Sequence, residues 1–156
     1  MTVSNITRKA AEEYVIVYDD ERVAWISIQE PGQEPIVSQL DKYPNLKISF
    51  WDVVSPLTSI IDDYVFNPPN EKDAQAIFDF IRENCHRDLV VNCKMGVSRS
   101  AAISKFCSDY LGYQWVVGRT HMFRGLSHPA KPNLLLYDLL VGCYKEYYNT
   151  FPNERD

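Results

Sequence analysis

The chain has 156 residues, of which 46% are hydrophobic and 24% charged, and its formal net charge is −5. That length suits one domain, residues 1–156, with a core large enough to need no staples, and the composition is that of an ordinary globular protein. The acidic balance argues against nucleic acid or an anionic membrane surface as a partner, and no apolar run approaches the length of a membrane span.

Tyr14–Tyr18 and Val23–Ile28 read as strands around the turn Asp19–Arg22, and the Pro31–Pro35 stretch then breaks regular structure. Leu46–Phe50 reads as a third strand after the turn signal Tyr43-Pro44-Asn45, and the segment from Asp52 to Pro69 reads as a loop. Asn70 is placed to cap a helix after Pro68-Pro69, with Ala74, Ile77, Phe78 and Ile81 on its apolar face and an end near Asn84. Leu89–Val91 is a short, β-branched run that fits a buried strand, and Ser98–Tyr110 reads as a helix stopped by Gly112. A short helix is expected within Gln114–Arg124, and Pro132-Asn133 opens a last helix through Leu136, Leu140 and Tyr147. Strands alternating with helices around a central apolar strand predict a three-layer α/β domain.

The segment between the buried strand and its helix carries the chemistry. Cys93 and Arg99 bracket Lys94, Met95, Gly96, Val97 and Ser98, so the loop ends at a helix N-terminus. Backbone N–H groups there lack partners and carry partial positive charge, so a loop curling over them presents several donors to one oxyanion. Gly96 lets the backbone turn. Arg99 adds a planar, permanently charged fork able to hold two phosphate oxygens. The same field is expected to favour Cys93 as a thiolate. Ser100 is placed to donate to that sulfur and to stabilise it as a leaving thiolate. An isolated cysteine is more often a buried small hydrophobe, and an isolated arginine a surface ion-pair partner. An arginine in the first turn of a helix opposes the helix dipole, so a bound anion explains it better.

The run Cys93-Lys94-Met95-Gly96-Val97-Ser98-Arg99-Ser100 resembles the signature loop of the cysteine-dependent protein tyrosine phosphatases, most closely the dual-specificity branch. A looser likeness extends from about Leu46 to about Leu140, and the first forty residues match less well. The resemblance implies a tyrosine-phosphatase-like fold, with a central, mostly parallel sheet flanked by helices. It also implies hydrolysis of phosphomonoesters on phosphotyrosine, phosphoserine or phosphothreonine without metal or cofactor. The catalytic set would be Cys93, Arg99, Ser100 and a carboxylic acid, with residues 93–99 binding phosphate. One departure is Asn92, which stands where the family usually has a histidine that helps to hold the thiolate, so activity is expected to be weakened.

Expelling an alkoxide or phenoxide needs a proton donor. In the family this is an aspartate after a strand that neighbours the nucleophile strand, and Asp52 directly follows the strand ending at Phe50. The family's usual spacing favours Asp62 or Asp63 instead, and the absence of any local acid is a third option. Lys94 either favours an anionic substrate or is a solvated surface lysine, and Arg119 and Arg124 read as surface charge. His86, His121 and His128 lack metal-ligand spacing, as do Cys85, Cys93, Cys107 and Cys143. The cysteines suggest reduced thiols in the cytoplasm, and Met1–Asn5 lacks the start of a signal peptide. The expected partner is a phosphorylated protein or a small phosphomonoester. Rival readings are a phosphate-binding pseudophosphatase and a related phosphatase acting on a phosphoinositide or an RNA 5′ phosphate.

Overall fold

A computed structural model describes residues 1–16, 22–55, 59–61, 64–116 and 130–154. Its centre is a five-stranded, wholly parallel sheet. The strands are β1 (Thr2–Thr7), β2 (Val23–Gln29), β3 (Asn45–Ser49), β6 (Asp88–Cys93) and β7 (Gln114–Trp115), in the spatial order β3-β2-β6-β1-β7. A separate antiparallel pair, β4 (Ser59–Ile61) and β5 (Tyr64–Phe66), lies in the segment expected to be a loop.

The period-two alternation of strand side chains supplies both faces of the sheet. Val3, Ala24, Ile26, Ile28, Leu89, Val91 and Cys93 point to one face. There they pack with α2 (Glu71–Glu83), α3 (Arg99–Tyr110) and α4 (Leu134–Thr150). Ile6, Trp25 and Val90 point to the other, covered by α1 (Arg8–Glu12), the 3-10 turn Gln39–Lys42, Ile36 and Tyr43. The result is a three-layer α/β architecture.

Helix boundaries follow from local chemistry. Asn70 and Asp73 form a reciprocal capping box at α2, with Asn70 Oδ1 accepting from Asp73 N at 2.9 Å and Asp73 Oδ2 accepting from Asn70 N at 3.0 Å. The predicted stripe Ala74, Ile77, Phe78 and Ile81 is buried. α3 is buried nearly all round, as a helix between sheet and helices must be. Gly112, just past its end, has φ +73° and so takes the left-handed conformation that ends a helix without steric cost.

Two further expectations need correction. Tyr14–Ile16 form no strand: they follow α1, Ile16 N donates to Gln39 Oε1 at 3.0 Å, and Tyr14 and Ile16 pack on the second core, while residues 17 and 18 lie outside the described set. In Tyr14 and Ile16 the aromatic and β-branched character reflects partial burial rather than pairing, and Val15 is exposed. Gln114 and Trp115 form the edge strand β7, not a helix, because they pair with Thr2 and Val3. The rest of that expected helix to Arg124, apart from Val116, lies outside the described residues. β1 and α1 were not anticipated, because Thr2–Thr7 holds only two buried apolar residues, Val3 and Ile6, one on each face.

Candidate active site

The strand order creates the site. β1 and β6 are adjacent and parallel, but α1 leaves β1 toward one face while α3 leaves β6 toward the other. Such divergence opens a crevice at the carboxyl ends of the two strands, the usual ligand position in open α/β sheets. The Cys93–Arg99 loop occupies that end.

Gly96 fixes the loop against β1. Its φ is +69°, and an added Cβ would lie 2.7 Å from the Ile6 carbonyl carbon and 2.9 Å from Thr7 N. Both conformation and space therefore demand glycine. The loop carbonyls are tied down from outside. Lys94 O accepts from Arg8 N at 3.2 Å and Gly96 O from Asn5 Nδ2 at 2.6 Å. Val97 O accepts from Lys131 N at 2.7 Å, and Ser98 O from Asn133 N at 3.1 Å and Ala102 N at 2.9 Å. Among the described residues, none of the N–H groups of Met95, Gly96, Val97, Ser98 and Arg99 donates to a protein acceptor. With carbonyls committed and amides free, the loop and the start of α3 form a cluster of donors suited to an oxyanion.

Cys93, 2% exposed, is the last residue of β6, and its Sγ lies 3.1 Å from Ser100 Oγ in the first turn of α3. Arg99 is also buried: Nη1 donates to Phe50 O at 2.8 Å, and Nη2 lies 3.8 Å from Glu30 Oε1. Its Nε has no acceptor among the described residues. A buried guanidinium with unspent donors and one distant carboxylate is costly unless another acceptor arrives. Glu30 also lies 3.9 Å from Lys94 Nζ, so one carboxylate at the end of β2 faces both cations of the loop. Sequence reasoning missed Glu30. Its signal is its position directly after β2, which becomes informative only once β2 is known to neighbour β6.

Asp52 meets the loop, although β3 is not the strand beside β6 as expected: β2 lies between them. Asp52 Oδ1 accepts from Ser98 Oγ at 2.7 Å and from Asn133 Nδ2 at 2.8 Å. Trp51, next to it, makes an edge contact with Phe66 at 4.8 Å between centroids. Asp62 and Asp63 lie outside the described residues, as do His121, His128, Arg119 and Arg124. Lys94 and Met95 are exposed at the loop tip, and His86 is exposed elsewhere. Asn92 is fully buried on the face opposite Cys93, where its Oδ1 accepts from Trp25 Nε1 at 2.8 Å. Its side chain braces the strand end from behind.

Among the described residues, no group of three His, Cys, Asp or Glu side chains is placed to hold a metal ion, and no helix is long and apolar enough to cross a membrane. No protein-family model, curated protein or solved structure matches the chain.

Proposed function

We propose that the chain is a phosphomonoesterase of the cysteine-dependent protein tyrosine phosphatase type. Its substrates are phosphotyrosine, and secondarily phosphoserine and phosphothreonine, in proteins. The observation that carries this reading is the meeting of three features in one loop: free backbone amides, the buried Arg99 with an unspent Nε, and Cys93 Sγ against Ser100 Oγ.

In the first step Cys93 Sγ, as thiolate, attacks phosphorus in line, and the bond from phosphorus to the ester oxygen breaks. Asp52 gives its proton to the departing oxygen. In the second step water attacks the thiophosphate, Asp52 takes its proton, and the S–P bond breaks to return the thiolate, to which Ser100 Oγ donates. Arg99 and the loop amides hold the three non-bridging oxygens throughout, where charge is spread in the transition state. All of this chemistry draws on the chain's own side chains and water. Four free cysteines, two of them buried, suit a reducing compartment such as the cytoplasm.

A second reading is a pseudophosphatase that binds phosphate without turnover, and it is favoured by Asn92, whose buried side chain bonds Trp25 Nε1 on the face opposite Cys93. Hydrolysis of an aryl phosphate separates the two. The phosphatase reading expects orthovanadate-sensitive turnover that falls by at least about 10³-fold in Cys93→Ser. Phosphate binding without turnover by the native chain supports the second reading instead.

A further inference from the structure

Asn133 does more than open a helix. Its Oδ1 accepts from Leu136 N at 3.0 Å, which is the whole requirement of an N-cap. Its Nδ2 donates to Asp52 Oδ1 at 2.8 Å and to Val53 O at 3.2 Å, and its backbone N–H donates to Ser98 O at 3.1 Å. One residue, 1% exposed, thus joins α4 and the segment after β3 through its side chain and the phosphate loop through its backbone. Aspartate would cap the helix as well but as a carboxylate has no donor, and a serine or threonine hydroxyl would have to accept and donate through one oxygen; the amide offers the helix an acceptor on one atom and a carboxylate a donor on another.

Ser98 supplies an independent observation. It holds the N-cap position of α3, where a serine side chain ordinarily accepts from an N–H of the first turn, yet it makes no such bond. Its Oγ donates to Asp52 Oδ1 instead. Folded onto the helix terminus, that hydroxyl would occupy N–H groups that an anion needs.

Resting on the phosphatase reading, we propose that Asn133 is a positioning residue that fixes the Asp52 carboxylate. So held, Asp52 keeps a proton donor against the phosphate loop and draws the Ser98 hydroxyl away from the N-terminus of α3. Oδ1 is committed to the two donors, which leaves Oδ2 to carry the proton.

Asn133→Ser keeps the cap and, being one bond shorter, removes the Nδ2 donor that reaches Asp52. Its turnover would be compared on an unactivated phenyl phosphate, which needs leaving-group protonation, and on an activated nitrophenyl phosphate, which needs little. We expect kcat to fall about ten- to a hundredfold on the first ester and less than about threefold on the second. On the first ester the double variant with Asp52→Asn is expected to be no slower than Asp52→Asn alone, because both changes remove one coupled function. Asn133→Asp, which keeps the cap but sets a like charge against Asp52, is expected to lower turnover of the same ester, so a folding defect in one variant cannot imitate the result. Inorganic phosphate is expected to bind Asn133→Ser more weakly than the native chain. Equal losses on both esters, or additive losses with Asp52→Asn in folded protein, overturn the proposal. If the native chain shows no Cys93-dependent hydrolysis, the phosphatase reading and the proton-donor half of the proposal fail together. Phosphate titration then decides the Ser98 half: weaker binding by Asn133→Ser supports it, and unchanged binding overturns it.

Discussion

Cys93 and Cys107 belong to one strand, loop and helix unit and both border the main core, yet the groups around their sulfurs differ. Cys107 sits inside α3, packed in the main core, and burial in those apolar surroundings pushes its thiol well above the ordinary range. It is a neutral packing group. Cys93 ends β6 at a helix N-terminus, with a hydroxyl 3.1 Å from its sulfur and a buried guanidinium in the same loop. Burial alone says nothing about a cysteine's role; the polar groups buried with it do.

The strongest way to break that contrast is to change the loop's charge geometry while keeping its charge. Arg99→Lys is expected to lower kcat/KM about 10²- to 10³-fold, because an ammonium can neither hold two oxygens as a fork does nor keep the bond to Phe50 O in the same place. Steady-state kinetics on an aryl phosphate checks this.

Gly96→Ala tests the loop's shape. With φ +69° and the Ile6 backbone within 3 Å of the added carbon, it is expected to cost about 2–3 kcal/mol in urea unfolding and to abolish phosphate binding. Gly112→Ala is the control: its φ is +73° but nothing lies within 4 Å of the new Cβ, so strain alone remains, about 1 kcal/mol, with phosphate binding unchanged.

The other half of the contrast predicts a variant that touches stability alone. Cys107→Ala removes a core atom and is expected to cost about 1–2 kcal/mol while leaving kcat within about twofold. Thermal unfolding and kinetics on the same sample read both.

The smallest effect lies far from the loop. Hydrogen bonds from Lys105 and Tyr137 hold the Asp109 carboxyl below the ordinary carboxylate range. A carboxylate lowered on folding contributes stability above its unfolded pKa of about 3.9, and that contribution is lost as pH falls through the folded value. The pair is more than a third exposed, so Asp109→Asn is expected to cost about 0.5 kcal/mol or less near neutral pH. The difference from the native chain should vanish in acid, as urea titrations at the two pH values would record.

Those elements whose local chemistry points one way were legible in the sequence. Asn70 caps the helix it was expected to cap, the last helix opens directly after Pro132-Asn133 as expected, and Leu89–Val91 lies in the central strand. β1 was not legible, because its strand character comes from pairing with β6 and β7 rather than from its own composition. The loop could be read because a strand, glycine, arginine and helix start fall in register within a few residues. Glu30, Asn5 and the reach of Asn133 to Asp52 could not, since each joins segments far apart in the chain. Such contacts exist only once the strand order brings those segments to the carboxyl end of the sheet.

The most direct test of the central claim is to find the covalent intermediate. The native chain would be mixed with an aryl phosphate, quenched within its first turnovers, and mapped by peptide mass spectrometry. The account predicts one phosphoryl group on Cys93, absent from Cys93→Ser. Turnover with no phosphoryl group on Cys93, or with one on another side chain, would contradict it.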